Sequence, residues 1–135
     1  MKFLLDTNIF LELILSQANE SSVRKLLNKA QVAQMFVTDF SIHSIGVLLF
    51  RKKQHEKFSS FLDDMFSLGI HPIKLPDDEL DVAVLIGKKF GLDFDDAYQY
   101  SVVETFDMTL VSFDADFDRT DRGKKTPQQI LAKLK

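Results

Sequence analysis

Cysteine is absent from the chain, which removes disulfides, thiolate metal sites and a thiol nucleophile and fits a reducing compartment. No apolar run approaches the roughly 18 residues of a membrane span. The opening residues 1–5 are largely apolar, but Asp6, Asn8 and Glu12 interrupt them before they reach the length of a secretory signal. Several catalytic signatures are missing as well. There is no P-loop, no glycine-rich dinucleotide fingerprint, no Ser-His-Asp context and no His-Glu-x-x-His helix. Repeats, low-complexity segments and linkers are also lacking. The 135 residues, 45% hydrophobic and 27% charged, therefore predict one domain over residues 1–135, soluble and cytoplasmic, with no membrane association.

The charge is unevenly spread. Residues 119–135 hold Arg119, Arg122, Lys124, Lys125, Lys133 and Lys135 against Asp121, a balance of +5, so the overall −3 leaves −8 for the rest. An acidic body with a basic edge suits a metal-dependent site acting on a polyanion, and equally suits an ordinary solvated terminal helix.

The first organising stretch is residues 3–10, where an apolar run meets Asp6-Thr7-Asn8 and then a helical pattern. Ile9, Phe10, Leu13 and Ile14 continue that pattern to about Gln17, and a second helix is expected over residues 19–33 through Val23, Leu26, Leu27 and Ala30. Residues 35–38 read as a strand, after which Asp39 or Ser41 opens a helix with Ile42, Ile45, Leu48 and Leu49 inward. Residues 54–68 form a further amphipathic helix burying Phe58, Phe61, Leu62, Met65 and Phe66, with Gly69 as its stop. Residues 70–75 are expected as a strand that Pro72 confines to a sheet edge. Pro76 and the acids 77–79 start a helix ending at Phe90 before Gly91, residues 93–96 open another reaching Phe106, and residues 109–113 are the last strand. Strands alternating with helices predict a three-layer α/β/α sandwich around a parallel sheet.

Three acids occupy corresponding junctions: Asp6 after the first strand, Asp114 after the last, and Asp96 in the helix turn preceding it. Residues just beyond the carboxyl ends of parallel strands line the crevice where ligands bind. If the first and last strands are neighbours, the three converge. Taken singly, each is an ordinary cap: Asp6 for its helix, residues 93–96 as N-terminal charge, and Asp114 within a polar turn. Taken together they need compensation, because two carboxylates about 4 Å apart repel by about 4 kcal/mol at an effective dielectric near 20. Oxygen-only ligands without cysteine select Mg²⁺ or Mn²⁺, and with them metal-assisted phosphodiester chemistry.

The ordered set Leu5-Asp6-Thr7-Asn8, Asp96-Ala97, residues 110–117 and Thr126-Pro127 before a short helix resembles the PIN domain, including the VapC toxins of bacterial toxin-antitoxin pairs. The resemblance spans essentially the whole chain. It implies a Mg²⁺- or Mn²⁺-dependent endoribonuclease whose metal ligands are Asp6, Asp96 and Asp114, with Asp116 as an auxiliary acid. Asn8 would orient Asp6 or its water, and Thr7 and Ser112 would hold the carboxylate edge. It further implies a homodimer and a small cognate antitoxin. Arg119, Arg122, Lys124 and Lys125 would contact the RNA backbone without reading bases.

The pattern departs at one place. The family carries a glutamate in the helix after the second strand, in the register of Ser44, and here no acid lies between Phe40 and His55. Asp39 reads as a cap, and His43 as a ligand, a phosphate contact or a structural residue. The alternative function is a non-catalytic PIN-like module that binds protein or RNA. A haloacid-dehalogenase-type phosphatase is disfavoured by Asn8, which stands where that family has a second aspartate.

Overall fold

The protein was examined as a computed structural model, in which residues 1–30 and 33–134 are described. Four strands, β1 (Lys2–Leu5), β2 (Gln34–Thr38), β3 (His71–Ile73) and β4 (Thr109–Val111), form a parallel sheet in the order β3-β2-β1-β4. Among the described residues seven α-helices flank it: α1 (Thr7–Ile14), α2 (Glu20–Leu27), α3 (Asp39–Arg51), α4 (His55–Ser67), α5 (Leu80–Phe90), α6 (Phe94–Phe106) and α7 (Pro127–Lys133).

Alternation along the strands sends side chains into two separate cores. Phe3 and Leu5 of β1, Met35 and Val37 of β2 and Val111 of β4 pack with α1, α2, α3, α4 and α7 on one face. Leu4 and Leu110 point the other way, against Ala83, Ile86, Tyr100 and Val103 of α5 and α6. Both faces of the sheet are covered, as the near-continuous apolar character of β1 requires. The expected three-layer α/β/α arrangement is therefore the observed one.

The sheet grows from β1 through β2 to β3, and the chain then crosses back by way of α5 and α6 to set β4 on the other side of β1. Phe3, Leu4 and Leu5 pair with Thr109, Leu110 and Val111. The order reverses between β1 and β4, so the crevice beyond their carboxyl ends is the topological switch point at which this class of sheet binds ligands. Gly91, with φ +67°, closes α5 in the left-handed region and turns the chain toward α6.

Several boundaries differ from expectation. The second helix ends at Leu27, and Gln31 and Val32 of its expected span lie outside the described residues. The β3 ladder covers only His71–Ile73, because Ile70 and Leu75 leave the sheet to bury in opposite cores; Pro72 does lie on the edge strand. Phe66, expected inward, is 64% exposed: it follows Met65 around the helix, and Met65 takes the inward position. Residues 77–79 form a 3₁₀ turn ahead of α5 instead of its first α-helical turn. The cap of α3 is Thr38, whose hydroxyl accepts from Ser41 N, while Asp39 accepts from the Phe40 amide and from Tyr98 Oη.

Leu110 is 1% exposed at the centre of β4. Leu110→Ala should cost about 2–5 kcal/mol of unfolding free energy, read by urea denaturation; a loss under about 1 kcal/mol would place the packing of β4 elsewhere.

Candidate functional site

At the switch point Asp6 leaves β1 in extended backbone, its N–H bonded to Val111 O at 2.9 Å, and it N-caps α1. The capping expectation for Asp6 holds, and its carboxylate has further partners. Oδ1 accepts from Thr7 N at 2.8 Å and from Gln99 Nε2 at 2.9 Å, and Oδ2 accepts from Ser112 Oγ at 2.7 Å. Asn8 Nδ2 donates to Ser112 Oγ at 3.1 Å and lies 3.5 Å from Asp6 Oδ2, while its Oδ1 accepts from Phe113 N at 3.3 Å. Ser112 Oγ also accepts from Asp114 N at 3.0 Å. The turn after β4 is thus clamped to the turn after β1 by one serine and one amide.

Asp114 heads a 3₁₀ turn, residues Ala115–Arg119, and its Oδ1 accepts from Asp116 N at 2.8 Å. Asp96 sits in the first turn of α6, where Asp93, the cap residue, makes no side-chain cap bond. Asp96, Asp114 and Asp116 each offer a carboxylate oxygen within 4.8 Å of the others. Asp6 lies behind this triad, buried, and within electrostatic reach of it. Of the three expected ligands, Asp96 and Asp114 fall in the close group and Asp116, expected as an auxiliary acid, completes it, whereas Asp6 lies outside it but within electrostatic reach of Asp96 and Asp114.

The electrostatics are those of a cluster short of positive charge. Burial pushes the Asp96 carboxyl up from 3.8 to about 7, reinforced by the charges of Asp95, Asp114, Asp6 and Asp116. Burial also raises Asp6, with Asp114 adding to the effect, while the bonds from Gln99, Ser112 and Thr7 hold it down. Among the described residues, Arg119 is the one cation paired to the group, 3.4 Å from Asp116, and Asp6, Asp96 and Asp114 have no ion pair. Oxygen-only donors at this spacing, unneutralised, fit a hard divalent cation of the Mg²⁺ or Mn²⁺ kind.

The other basic residues are distributed differently. Arg122 pairs with Asp107 at 3.0 Å and donates to Met108 O, at the amino end of β4, about 13 Å from Ser112 at the strand rise of about 3.3 Å per residue. Lys124 pairs with Asp118 at 3.3 Å. Lys125 extends the sheet through its backbone, donating to Leu110 O and accepting from Ser112 N. Lys135 lies outside the described residues. Only Arg119 of the four adjoins the carboxylates by a direct contact.

Exposed His43 and half-buried Ser44 face a groove of about 510 Å³ between α3 and the start of α6, shared with Phe40, Val47, Arg51 and Phe94. Neither has a described hydrogen bond to the four acids. Gln99 and Thr38 belong to no site motif in the sequence, and Ser41 reads there only as a helix opener. Gln99 is 1% exposed, within the buried run Ala97–Val103 of α6, and its amide spans Asp6, Ser41 and Thr38. A lone amide among Tyr98, Tyr100 and Val102, three residues after Asp96, was the available signal, since a polar group so placed needs partners inside.

A parallel four-stranded sheet with an acidic switch point defines the class. The PIN domain model matches residues 3–123, and the chain belongs to the PIN domain family. Solved structures similar in fold include VapBC2 of Rickettsia felis, bound to a DNA fragment from its promoter (18% identity, TM-score 0.76, 93% of this chain and 97% of that one). VapC20 of Mycobacterium tuberculosis, a sarcin-ricin loop cleaving toxin, has 16% identity and TM-score 0.68 over 86% and 92%. A toxin-antitoxin complex from Klebsiella pneumoniae has 18% identity and TM-score 0.68 over 92% and 96%. No curated protein matches by sequence. Among the described residues no helix is long and apolar enough to cross a membrane.

The raised Asp96 gives a signed pH dependence. Between 3.8 and about 7 this carboxyl keeps its proton in the folded state and loses it in the unfolded one. The metal-free fold should therefore lose stability as pH rises from about 4 to about 7. Denaturant unfolding in chelator across that range should show the slope in the parent and a flatter one in Asp96→Asn; equal slopes would remove Asp96 from the cluster.

Proposed function

We propose that the protein is a metal-dependent endoribonuclease, cytoplasmic and acting as the toxin of a toxin-antitoxin pair. The observation that carries this reading is the close group of Asp96, Asp114 and Asp116 at the switch point, backed by buried Asp6 and without matching positive charge. This close group could hold a divalent ion, which would supply charge neutralisation and activation of water for phosphodiester attack. The protein's own part is geometric. Asp96, Asp114 and Asp6 would hold the ion, Asp116 would assist, and Ser112 and Asn8 would keep the two turns in register. Arg119, beside Asp116, is the phosphate anchor best placed to meet RNA, with Lys124 and Lys125 following in the same segment.

Family membership and the toxin-antitoxin complexes among its structural relatives support a small antitoxin as partner. A homodimer belongs to the same proposal, and Leu80, Val84 and Leu85 on α5 are exposed apolar surface of the kind a subunit contact covers. The second reading, a non-catalytic module binding protein or RNA, is favoured by the serine at position 44, where the family pattern has a glutamate.

Three measurements address these readings. Calorimetric titration of Mn²⁺ should give one bound ion, with affinity reduced at least tenfold in Asp114→Asn and Asp96→Asn; undiminished affinity in both would place the ion elsewhere. Cleavage of a generic single-stranded RNA should need Mn²⁺ or Mg²⁺ and vanish in Asp114→Asn, whereas ion binding without cleavage would favour the module. Arg119→Ala should weaken RNA binding alike across sequences and flatten the dependence of log K on log salt by about one unit, and an unchanged slope would deny it a phosphate contact.

A further inference from the structure

Gln99 holds the key position behind the site. Its Nε2 has two hydrogens and both are engaged, one toward Asp6 Oδ1 at 2.9 Å and one toward Ser41 Oγ at 2.9 Å. Its Oε1 accepts from Thr38 Oγ1 at 2.7 Å. The same Thr38 oxygen accepts from Ser41 N at 3.0 Å, and Ser41 Oγ reaches Thr7 Oγ1 at 2.7 Å. Every group in this chain of bonds belongs to a residue that is buried or, for Thr7, half-buried. The orientation of the amide follows from these partners: flipped, its oxygen would face the carboxylate of Asp6 and its NH2 would give up that acceptor.

Each carboxylate oxygen of Asp6 has two acceptor sites. Those of Oδ1 are filled by Thr7 N and Gln99 Nε2. Oδ2 takes one strong bond, from Ser112 Oγ, and the Asn8 amide stands at 3.5 Å, nearer to Ser112 than to Asp6. The second acceptor site on Oδ2 carries only this long contact from Asn8 Nδ2, so it is the site on the carboxylate that an entering cation can take. We infer that Gln99 is a positioning residue that fixes Asp6 as a one-oxygen ligand, presenting Oδ2 and withholding Oδ1. This rests on the metal-dependent reading above and concerns how the site is held, not whether it cuts. On the α3 side, the groups bridging Asp6 to that helix are a neutral amide and a serine hydroxyl, whereas Asp96, Asp114 and Asp116 lie on the β4 and α6 side.

The test is Mn²⁺ titration of the full chain at fixed pH, comparing the parent with Gln99→Met, which preserves length and volume without a donor. Outer hydrogen bonds to ligating groups typically carry about 10- to 100-fold in metal affinity, so a loss in that range is expected with one bound ion retained. A Gln99→Met protein that melts lower yet binds Mn²⁺ as tightly as the parent would overturn the inference and leave Gln99 a packing residue. Should that variant fail to fold, side-chain amide resonances of the parent decide the matter. The Gln99 Nε2 protons should shift during Mg²⁺ titration with the same midpoint as backbone amides of residues 114–116, and their indifference would equally overturn it. A parent that binds no Mn²⁺ at all would defeat the metal-dependent reading itself, a result distinct from loss of the Gln99 effect alone.

Discussion

Parallel pairing of β1 with β4 is the constraint on which the rest of the molecule depends. Leu4 opposite Leu110 and Leu5 opposite Val111 set the register, and from it the turns after the two strands leave side by side. Asp6 and Asp114 are 108 positions apart in sequence, and nothing local brings them together. The crossover through α5 and α6 does so, and it also delivers Asp96 and Gln99 on the first turns of α6. Apolar burial on both faces of β1 supplies the driving force for the pairing, and the acids are its passengers.

Such a gathering of acids is unfavourable until something positive joins it. The protein tolerates the cost in two ways. Hydrogen bonds from Thr7, Gln99 and Ser112 stabilise the charge on Asp6 at the back, and Asp96 keeps its proton to about pH 7 at the front. Perturbed carboxylates in a crevice are where functional chemistry is found, because stability alone would not select them. Arg119 is the only direct counter-charge described, and its side chain is 52% exposed, so solvent and salt screen it. Among the described residues the cluster is thus not self-neutral, which is the condition the proposed cation site requires.

Much of this was legible in the residues. The apolar runs at 3–5, 35–38 and 109–113 and the helical spacing between them determine the layers, although only Thr109–Val111 of the last run pair in the sheet, and the position of Asp6, Asp96 and Asp114 at element ends points to one edge. Two kinds of feature were hidden. Ends of elements depend on tertiary competition: Ile70 and Leu75 have strand character but bury outside the β3 ladder, and Thr38 displaces Asp39 as the cap because its hydroxyl is already ordered by Gln99. Contacts through space are equally silent in the chain order. Arg122 reads as part of a basic segment following the site, yet the loop carries it to Asp107 at the far end of β4. Gln99 looks like one polar residue in a helix until Ser41 and Asp6 are seen around it.

The central claim is that these carboxylates form one divalent-cation site rather than a set of caps. A crystal structure of the protein soaked in MnCl₂, with anomalous differences collected at the manganese edge, tests it most directly. The account predicts a single peak among Asp96, Asp114 and Asp116, approached by Oδ2 of Asp6 and not by Oδ1. No peak at the switch point, with the four acids in unchanged positions, would contradict it.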